Sequence, residues 1–322
     1  MRITIAGGSG FLGRALTDTL AAEGHLVTIL GRQAPGPRTA GAQGPAEPPN
    51  APSPARIPWL PDGTVGPWAA ALDGADAVVN LAGESIGAGR WSAARKARIR
   101  DSRVLATRSL VAAIKATTKP PHVFISGSAQ GYYGSRGDEI LTEESGAGRD
   151  FLADVCVRWE RGACEALPAV QRLVLVRSGL VLDPREGVLP SMLRPFRFFA
   201  GGPLGSGRQY MSWIHREDWV SLVRWALVTE AVEGPLNLTA PNPVTNAEFA
   251  RILGQVLRRP SVMPAPAIAI RLALGEMADG LLLCSQRVLP ARASALGFTF
   301  RFPDLGAALG DLLGRAVPPA RY

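Results

Sequence analysis

Short apolar runs alternate with longer amphipathic stretches through the first half of this chain. The runs are rich in β-branched residues and apolar at nearly every position, as is typical of strands buried on both faces of a parallel sheet. Stretches of helical periodicity separate them, at Phe11–Glu23, Trp91–Ala116 and Ala153–Leu167. Strands that alternate with crossover helices predict an α/β fold with a doubly wound parallel sheet. The predicted strands are Ile3–Ala6, Leu26–Leu30, Ala77–Leu81, Val123–Ser126 and Leu173–Arg177.

Three glycines directly follow the first predicted strand, at Gly7, Gly10 and Gly13. Gly7 allows a tight turn, Gly10 lets backbone N–H groups approach a pyrophosphate, and Gly13 lets the next helix pack closely on the sheet. Phe11 and Leu12 open that helix, whose N-terminus presents unpaired N–H groups and positive dipole charge to phosphates. Glycines so spaced between a strand and a helix predict a dinucleotide site in a Rossmann-type fold.

The end of the second predicted strand indicates which dinucleotide binds. An NAD site places an Asp or Glu about 20 residues past the glycines, where it binds the ribose 2′-hydroxyl. No acidic residue occurs between Glu23 and Glu47, and Arg32 closely follows the strand. The Arg32 guanidinium can pair with a 2′-phosphate and stack on the adenine, so we predict NADP(H) rather than NAD(H). An exposed arginine at a strand end is the alternative.

These patterns divide the chain into two predicted parts. Residues 1–180 form the NADP(H)-binding domain, in which the Pro/Gly/Ala-rich segment 34–56 is a flexible surface insertion. Residues 181–322 form a smaller lobe that covers the substrate, because ligands of open α/β sheets bind outside the carboxyl ends of the strands. In this lobe Thr245–Leu257 is helical, and the apolar stretch Val262–Cys284, which charges interrupt, is a buried helix pair rather than a membrane span.

Composition indicates a cytoplasmic globular protein. The chain has 322 residues, 47% of them hydrophobic, and can bury a substantial core. The first strand begins almost at Met1, which leaves no room for a signal peptide. Cys156, Cys164 and Cys284 have neither metal-ligand spacing nor a disulfide framework, so we expect no metal site and a reducing compartment.

The net charge of +8 is concentrated in one segment, where nine basic residues accompany a single acid, Asp101. A basic helix of this kind is either a solvated face or a contact for the phosphates of a ligand. Neither interleaved aromatic residues nor a nucleic-acid fold signature accompany the charge, so we expect no nucleic-acid partner. The basic residues are Arg90, Arg95, Lys96, Arg98, Arg100, Arg103, Arg108, Lys115 and Lys119.

Motifs over nearly the whole chain carry a family resemblance. They are Gly7–Gly13, Asn80–Glu84, Ser126–Gly134, Trp213–Asp218, Gly234–Pro241, Gly275–Met277, Gln286–Pro290 and Gly297–Phe300. Together they resemble the extended short-chain dehydrogenases/reductases, and more closely the atypical branch of NAD(P)-dependent epimerase/dehydratase-like proteins. The resemblance implies a Rossmann-type fold, cofactor contacts at Leu81, Ala82 and Glu84, and a small C-terminal domain of unknown function.

The chain departs from this superfamily at its catalytic pair. The resemblance implies a Tyr-x-x-x-Lys motif, in which the lysine lowers the pKa of the tyrosine and holds the nicotinamide ribose while the tyrosine acts as acid or base. None of the four tyrosines here has a lysine four positions later. Alignment of the helix that ends near Glu160 puts Phe151 and Val155 where the pair would lie. Neither side chain transfers a proton, which argues against the usual alcohol/ketone chemistry.

Four residues are candidates to replace the pair. Ser128 matches the superfamily serine that hydrogen-bonds a substrate oxygen. Tyr132 and Tyr133 lie in the same loop, where one reaches the cleft or both are packing aromatics. Lys96 is a candidate proton donor or phosphate anchor on the same helix face as Arg103, although a solvated lysine is the alternative.

Two further polar residues have open roles. Glu84 ends the motif after the third predicted strand, where it contacts cofactor or substrate, or else initiates the following helix. His215 lies in a segment that is near the substrate in extended relatives, but we expect a structural histidine that bonds a backbone carbonyl.

Together these features predict an NADP(H)-dependent oxidoreductase or nucleotide-sugar-epimerase-like enzyme that acts on a small polar or phosphorylated substrate. Ser128 and a loop tyrosine would polarise the substrate oxygen beside the nicotinamide. Because the Tyr-x-x-x-Lys pair is missing, a non-catalytic NADP(H)-binding sensor or scaffold protein is the alternative. We expect no membrane partner, and a homodimer is compatible with this fold.

Overall fold

A parallel sheet with helices on both faces forms the centre of the protein in a computed structural model, which describes residues 1–31 and 53–315. The strands are β1 (Arg2–Ala6), β2 (Leu26–Gly31), β3 (Ala55–Pro58), β4 (Ala77–Asn80), β5 (Val123–Ala129), β6 (Ile140–Leu141), β7 (Arg172–Ser178), β8 (Leu180–Leu182), β9 (Tyr210–Met211), β10 (Trp213–His215), β11 (Gly234–Leu238), β12 (Val244–Thr245) and β13 (Arg287–Val288). The helices are α1 (Phe11–Ala22), α2 (Ala93–Ala116), α3 (Phe151–Cys164), α4 (Leu189–Arg197), α5 (Arg216–Val228), α6 (Asn246–Leu257), α7 (Ala267–Leu274), α8 (Ala291–Ala295) and α9 (Leu305–Leu313).

The sheet has the strand order β11-β7-β5-β4-β1-β2-β3, and every neighbouring pair is parallel. The chain moves outward from β1 to β2 and β3, and then crosses back to β4 on the other side of β1. The order therefore reverses between β1 and β4, and the crevice at this switch point is where open α/β sheets bind ligands. The five strands predicted from the apolar runs all belong to this sheet, which confirms the doubly wound α/β fold.

Apolar side chains cover both faces of the sheet, as the unbroken apolar runs predict. On one face Ile3 and Ile5 of β1 pack in a core with Leu16 of α1. On the other face Val78 of β4 packs in a core with Leu110 of α2. Because both faces bury side chains, only the strand ends and the loops beyond them are free to hold a ligand.

The chain returns to the central sheet late in its course. Helix α5 contacts α1, and β11 pairs with β7, with Leu236 beside Val176. Both elements follow residue 180, where the predicted second domain begins. They nevertheless pack as part of the central sheet and of a helix layer that covers it. At the opposite edge, Ala55 and Arg56, the last residues of the predicted flexible insertion, form part of β3, which pairs with β2.

The smaller lobe is built from α4, α6 and α9, whose apolar faces share one core. The stretch Val262–Cys284 differs from the prediction of a buried helix pair. Helix α7 buries Ile270 but exposes 71% of Ile268 and 74% of Leu272, and a π-helical turn at Ala278–Leu282 follows. The apolar composition of this stretch predicts burial, but it does not show that only one side of the short helix is buried. Within the two described ranges, no helix has the length and apolarity to cross a membrane.

The C-terminal segment is fixed to α5 by buried polar groups. The carboxylate of Asp218 accepts the backbone N–H groups of Arg301 and Phe302, both at 2.9 Å. The buried His215 ring stacks on Phe302 at 3.9 Å between centroids, and its Nδ1 accepts the N–H of Glu217 at 3.0 Å. His215 therefore has a structural role, as expected, but it caps α5 through a backbone N–H rather than a carbonyl.

We expect acid to destabilise the protein through His215. Burial lowers the pKa of His215 from its ordinary value of 6.5. Below that pH the unfolded chain binds more protons than the native state, so the free energy of unfolding falls by up to about 1.4 kcal/mol per pH unit until the native pKa is reached. Denaturant unfolding between about pH 7 and pH 5 measures this slope.

Two substitutions assign the slope to its source. His215→Asn keeps a capping side chain at the start of α5 and should flatten the pH dependence. His122→Asn replaces a more exposed histidine and is the comparison variant for the same measurement. An unchanged slope in the His215→Asn variant would contradict the assignment.

Candidate functional site at the sheet switch point

The turn between β1 and α1 lies against the segment that follows β4. Gly7 has a φ of +79°, and a Cβ there would lie 2.8 Å from the carbonyl carbon of Leu81 and 2.9 Å from the nitrogen of Ala82. A Cβ at Gly13 would overlap the carbonyl oxygen of Gly7. Because side chains do not fit at these two positions, the turn presents backbone to the crevice between β1 and β4.

The first turn of α1 fits a diphosphate. Gly10 is the N-cap and provides no side-chain cap, and the first turn has no acidic residue. The N–H groups of Phe11, Leu12 and Gly13 are among those that a helix leaves unpaired, and together with the helix dipole they favour an anion. The side chains of Phe11 and Leu12 pack against the central core. Their backbone, rather than their side chains, would therefore hold a dinucleotide.

Strand β2 ends next to this turn, as a site for the adenosine half requires. The Gly7 N–H donates to the carbonyl oxygen of Leu30 at 3.1 Å, and a Cβ at Gly31 would lie 3.7 Å from Ser9 Oγ. Arg32, on which the prediction of NADP(H) rests, follows in the sequence and lies outside the described residues. Selection of the 2′-phosphate therefore stays a prediction.

Polar side chains at the end of β4 and in the loop after it contact α2. Asn80 is fully buried, its Nδ2 donates to Thr107 Oγ1 at 2.9 Å, and its Oδ1 accepts from the N–H of Ala82 at 3.2 Å. The Glu84 carboxylate forms an ion pair with Arg95 and lies 3.5 Å from the Nε of another α2 arginine. Glu84 thus ties the loop to α2, and it does not initiate that helix, which begins at Ala93. Its contact with a cofactor or substrate stays a prediction.

Ser128, at the end of β5, belongs to a buried ionic network. Its hydroxyl donates to Glu160 Oε1 at 2.6 Å. Arg177 of β7 donates to both oxygens of the same carboxylate, at 2.8 Å each. Glu160 and Arg177 are 6% and 3% exposed, so the pair is removed from water. This geometry directs the Ser128 hydroxyl to α3, whereas the sequence predicted a contact with a substrate oxygen.

The two loop tyrosines pack around the same arginine. The Tyr133 hydroxyl donates to Asn237 Oδ1 at 2.7 Å and accepts from Arg177 Nη1 at 3.0 Å. Tyr133 is fully buried, and burial raises its pKa to about 12. The guanidinium carbon of Arg177 lies 3.5 Å from the centroid of the Tyr132 ring. The Tyr133 hydroxyl is thus buried and paired, whereas Tyr132 is only partly buried. The catalytic roles of both tyrosines stay predictions.

Lys96 lies beside Phe151, which the sequence predicts at the superfamily's tyrosine position. Its Nζ is 5.3 Å from the centroid of Phe151, the first residue of α3. Glu276, from the C-terminal segment, accepts from the same Nζ at 2.8 and 2.9 Å. The Trp91 and Phe151 rings pack in a T-shaped arrangement, with their centroids 5.2 Å apart. Lys96 therefore places a positive charge next to an apolar wall at the predicted reaction site.

The C-terminal segment contributes residues to which the sequence motifs gave no role. Besides Glu276, Gln286 Nε2 donates to the carbonyl oxygens of Gln130 and Gly134, at 3.1 and 3.2 Å, and so fixes the loop after β5. A Cβ at Gly280 would lie 2.8 Å from the Trp91 ring. Glu276 and Gln286 lie in two of the sequence motifs. Nothing in the local pattern indicates, however, that this segment returns to the edge of the sheet.

Residues 3–151 match the NAD-dependent epimerase/dehydratase family, and residues 265–312 match DUF1731, a domain of unknown function. The epimerase family protein Mb2239 of Mycobacterium bovis is 41% identical over 309 residues, 96% of this chain and 96% of that protein. This chain belongs to the epimerase family. The crystal structure of human epimerase family protein SDR39U1 (isoform 2) with NADPH has a TM-score of 0.84 and 35% identity, over 98% of this chain and 100% of that one.

A nucleoside-diphosphate sugar epimerase from Corynebacterium glutamicum is also similar to this epimerase-family protein. It has a TM-score of 0.76 and 37% identity, over 98% of this chain and 59% of that one. The matches confirm the resemblance inferred from the motifs and the NAD(P)-dependent, Rossmann-type fold. They also place Glu276 and Gln286 within the DUF1731 region, which therefore contributes to the candidate site.

Proposed function

We propose that this epimerase-family protein binds NADPH at the β1/β4 crevice and reduces the carbonyl group of a small polar or phosphorylated substrate, with Lys96 as the proton donor. The observation that carries the proposal is the Lys96 ammonium group, 5.3 Å from the Phe151 ring. Phe151 stands where we predict the tyrosine that serves as the acid in the superfamily. Helix α2 supplies the Lys96 ammonium group beside it.

The glycine turn supports the cofactor part of the proposal. Gly7, Gly10 and Gly13 leave room for a diphosphate, and the backbone of Phe11 and Leu12 would hold it. The human relative at 35% identity has a crystal structure with NADPH. Arg32 is proposed to pair with the 2′-phosphate, since no acidic residue occurs between positions 23 and 47.

The surroundings of Lys96 suit proton donation. NADPH, when bound, supplies a hydride equivalent to the substrate carbon. The Lys96 Nζ would give a proton to the substrate oxygen and regain one from solvent, to which its side chain is 31% exposed. Glu276 orients the ammonium group, and the Trp91 and Phe151 rings exclude water from one side of the reacting oxygen.

Charge around the α2 N-terminus supports an anionic substrate. Arg95 and Lys96 are paired with Glu84 and Glu276, respectively. Arg98 is 58% exposed in its side chain and shares Glu84 with Arg95, so two arginines and one carboxylate leave a net positive charge. A substrate with a phosphate or carboxylate group would gain from this local field.

The experiment is an assay of NADPH oxidation with a panel of carbonyl compounds and nucleotide sugars. Where the parent protein turns over a substrate, Lys96→Met should lower kcat by about a hundredfold, since a positioned general acid contributes about that much. The dissociation constant of NADPH should stay unchanged. Lys115→Met, in the last turn of α2, is the matched control and should keep the parent's kcat. An unchanged kcat in the Lys96→Met variant would exclude Lys96 as the acid.

A second candidate function, a non-catalytic NADP(H) sensor, is favoured by the burial of Tyr133, which is 0% exposed. The predicted replacement of the Tyr-x-x-x-Lys pair by Phe151 and Val155 agrees with it. A sensor would bind NADPH tightly, turn over no compound of the panel, and change its oligomeric state or partner binding with cofactor. Identical size-exclusion profiles and partner binding with and without NADPH would count against it.

A further inference from the structure

Arg103 is a partly buried cation that has no ion-pair partner within residues 1–31 and 53–315. We propose that its guanidinium binds the hydroxyl groups of the ribose that carries the nicotinamide. This inference rests on the proposed binding of NADPH. Val155, which the sequence predicts at the position of the superfamily's lysine, is 2% exposed and has no hydrogen-bond donor in its side chain.

The Arg103 guanidinium lies between the end of β4 and helix α3. A Cβ at Gly83 would lie 3.1 Å from Arg103 Cζ, and Cζ is 5.3 Å from the centroid of Trp159. Trp159 itself packs under the end of β5, because a Cβ at Gly127 would lie 2.6 Å from its ring. Trp159 follows Val155 by one turn of α3. The guanidinium is thus beside the carboxyl ends of both β4 and β5.

This position matches the nicotinamide half of a dinucleotide rather than the adenosine half. The adenosine half is proposed to lie over β2, near Gly31, on the far side of β1. A dinucleotide that spans the switch point must then extend from the glycine turn across β4 toward β5. Adjacent strands are about 4.8 Å apart, so β5 lies about 10 Å from β1, within reach of a ribose beyond the diphosphate.

Arg103 has hydrogen-bond donors left for such a ligand. Its Nη1 donates to the carbonyl oxygens of Glu84 and Ile99, at 3.0 and 2.9 Å, which fixes the guanidinium against the main chain. The N–H groups of Nε and Nη2 have no hydrogen-bond partner in the described part of the chain. Burial lowers the pKa of Arg103, which reflects a charge poorly compensated by its surroundings. Two adjacent ribose hydroxyls offer acceptors to the free edge of the guanidinium.

The test compares two ligands, NADPH and 2′-phospho-ADP, which lacks the nicotinamide riboside. Calorimetry of full-length protein should show that Arg103→Ala weakens NADPH binding by about tenfold or more, as expected for hydrogen bonds from a charged group. Binding of 2′-phospho-ADP should be unchanged, which also shows that the variant is folded. Arg103→Lys should recover part of the NADPH affinity. Arg108→Ala, which removes an exposed arginine of the same helix, should bind both ligands like the parent.

Equal weakening of both ligands by Arg103→Ala would place the contact at the diphosphate and overturn the proposal, as would no weakening of either. If the parent protein binds neither ligand, the proposed function itself fails, and this outcome is distinct from the other two.

Discussion

Alanine at position 10 is expected to reduce NADPH affinity by about a hundredfold while the melting temperature stays close to that of the parent. Gly10 has φ −77° and ψ 177°, which alanine adopts without strain. Within residues 1–31 and 53–315, a Cβ there would meet only the carbonyl oxygen of Gly7, at 3.3 Å. The added methyl group therefore leaves the fold intact but takes up space where the diphosphate must approach the backbone.

Two further glycine variants separate ligand approach from folding. Gly13→Ala should lower both the NADPH affinity and the melting temperature, because its Cβ would overlap the backbone of Gly7. Gly146→Ala should change neither, since no atom of the described residues lies within 4 Å of an added Cβ. Calorimetric titration and thermal unfolding measure the two quantities. Parent-like NADPH affinity in the Gly10→Ala variant would mean that the diphosphate binds elsewhere.

Truncation of Glu160 should destabilise the protein by about 3–5 kcal/mol, because it leaves a buried charge without its partner. Arg177 is 3% exposed and donates twice to the Glu160 carboxylate. The Ser128 hydroxyl loses its acceptor in the same variant. The free energy of unfolding of Glu160→Ala, measured in denaturant, gives the effect.

A surface pair on the same helix serves as the control. Asp154 and Arg158 form an ion pair on α3 with side chains 50% and 58% exposed. Asp154→Ala should cost less than about 1 kcal/mol, since water screens the pair. The double variant Glu160→Leu, Arg177→Met should recover part of the loss, because it removes both buried charges. If Glu160→Ala and Asp154→Ala lowered the free energy of unfolding by similar amounts, the unpaired buried charge would not be the cause of the loss.

The strands and the glycine turn could be predicted from sequence because both depend on local chemistry. An apolar run such as Ala77–Leu81 fits only a strand covered on two faces. The close contacts of Gly7 and Gly13 also follow from spacing alone, since a strand, a tight turn and a helix occupy consecutive residues. The shared helix face of Lys96 and Arg103 followed from their seven-residue separation, and both side chains do reach α3.

The partners of the candidate catalytic groups could not be predicted in this way. Ser128 meets Glu160, 32 residues away, and Tyr133 meets Asn237, 104 residues away. A motif identifies a serine at a strand end, but it does not show which way the hydroxyl points. Glu276, 180 residues from Lys96, shows the same limit. Side-chain contacts between distant segments depend on the complete packing, which no local periodicity encodes.

The late return of β11 to the sheet has a consequence for protein synthesis. A nascent chain that has left the ribosome as far as β7 exposes the backbone donors and acceptors on one side of that strand, until residues 234–238 emerge. An open parallel strand of this kind invites non-native pairing with other chains. Rapid translation through the intervening lobe, or a chaperone that shields the strand, would therefore favour a high yield of folded protein.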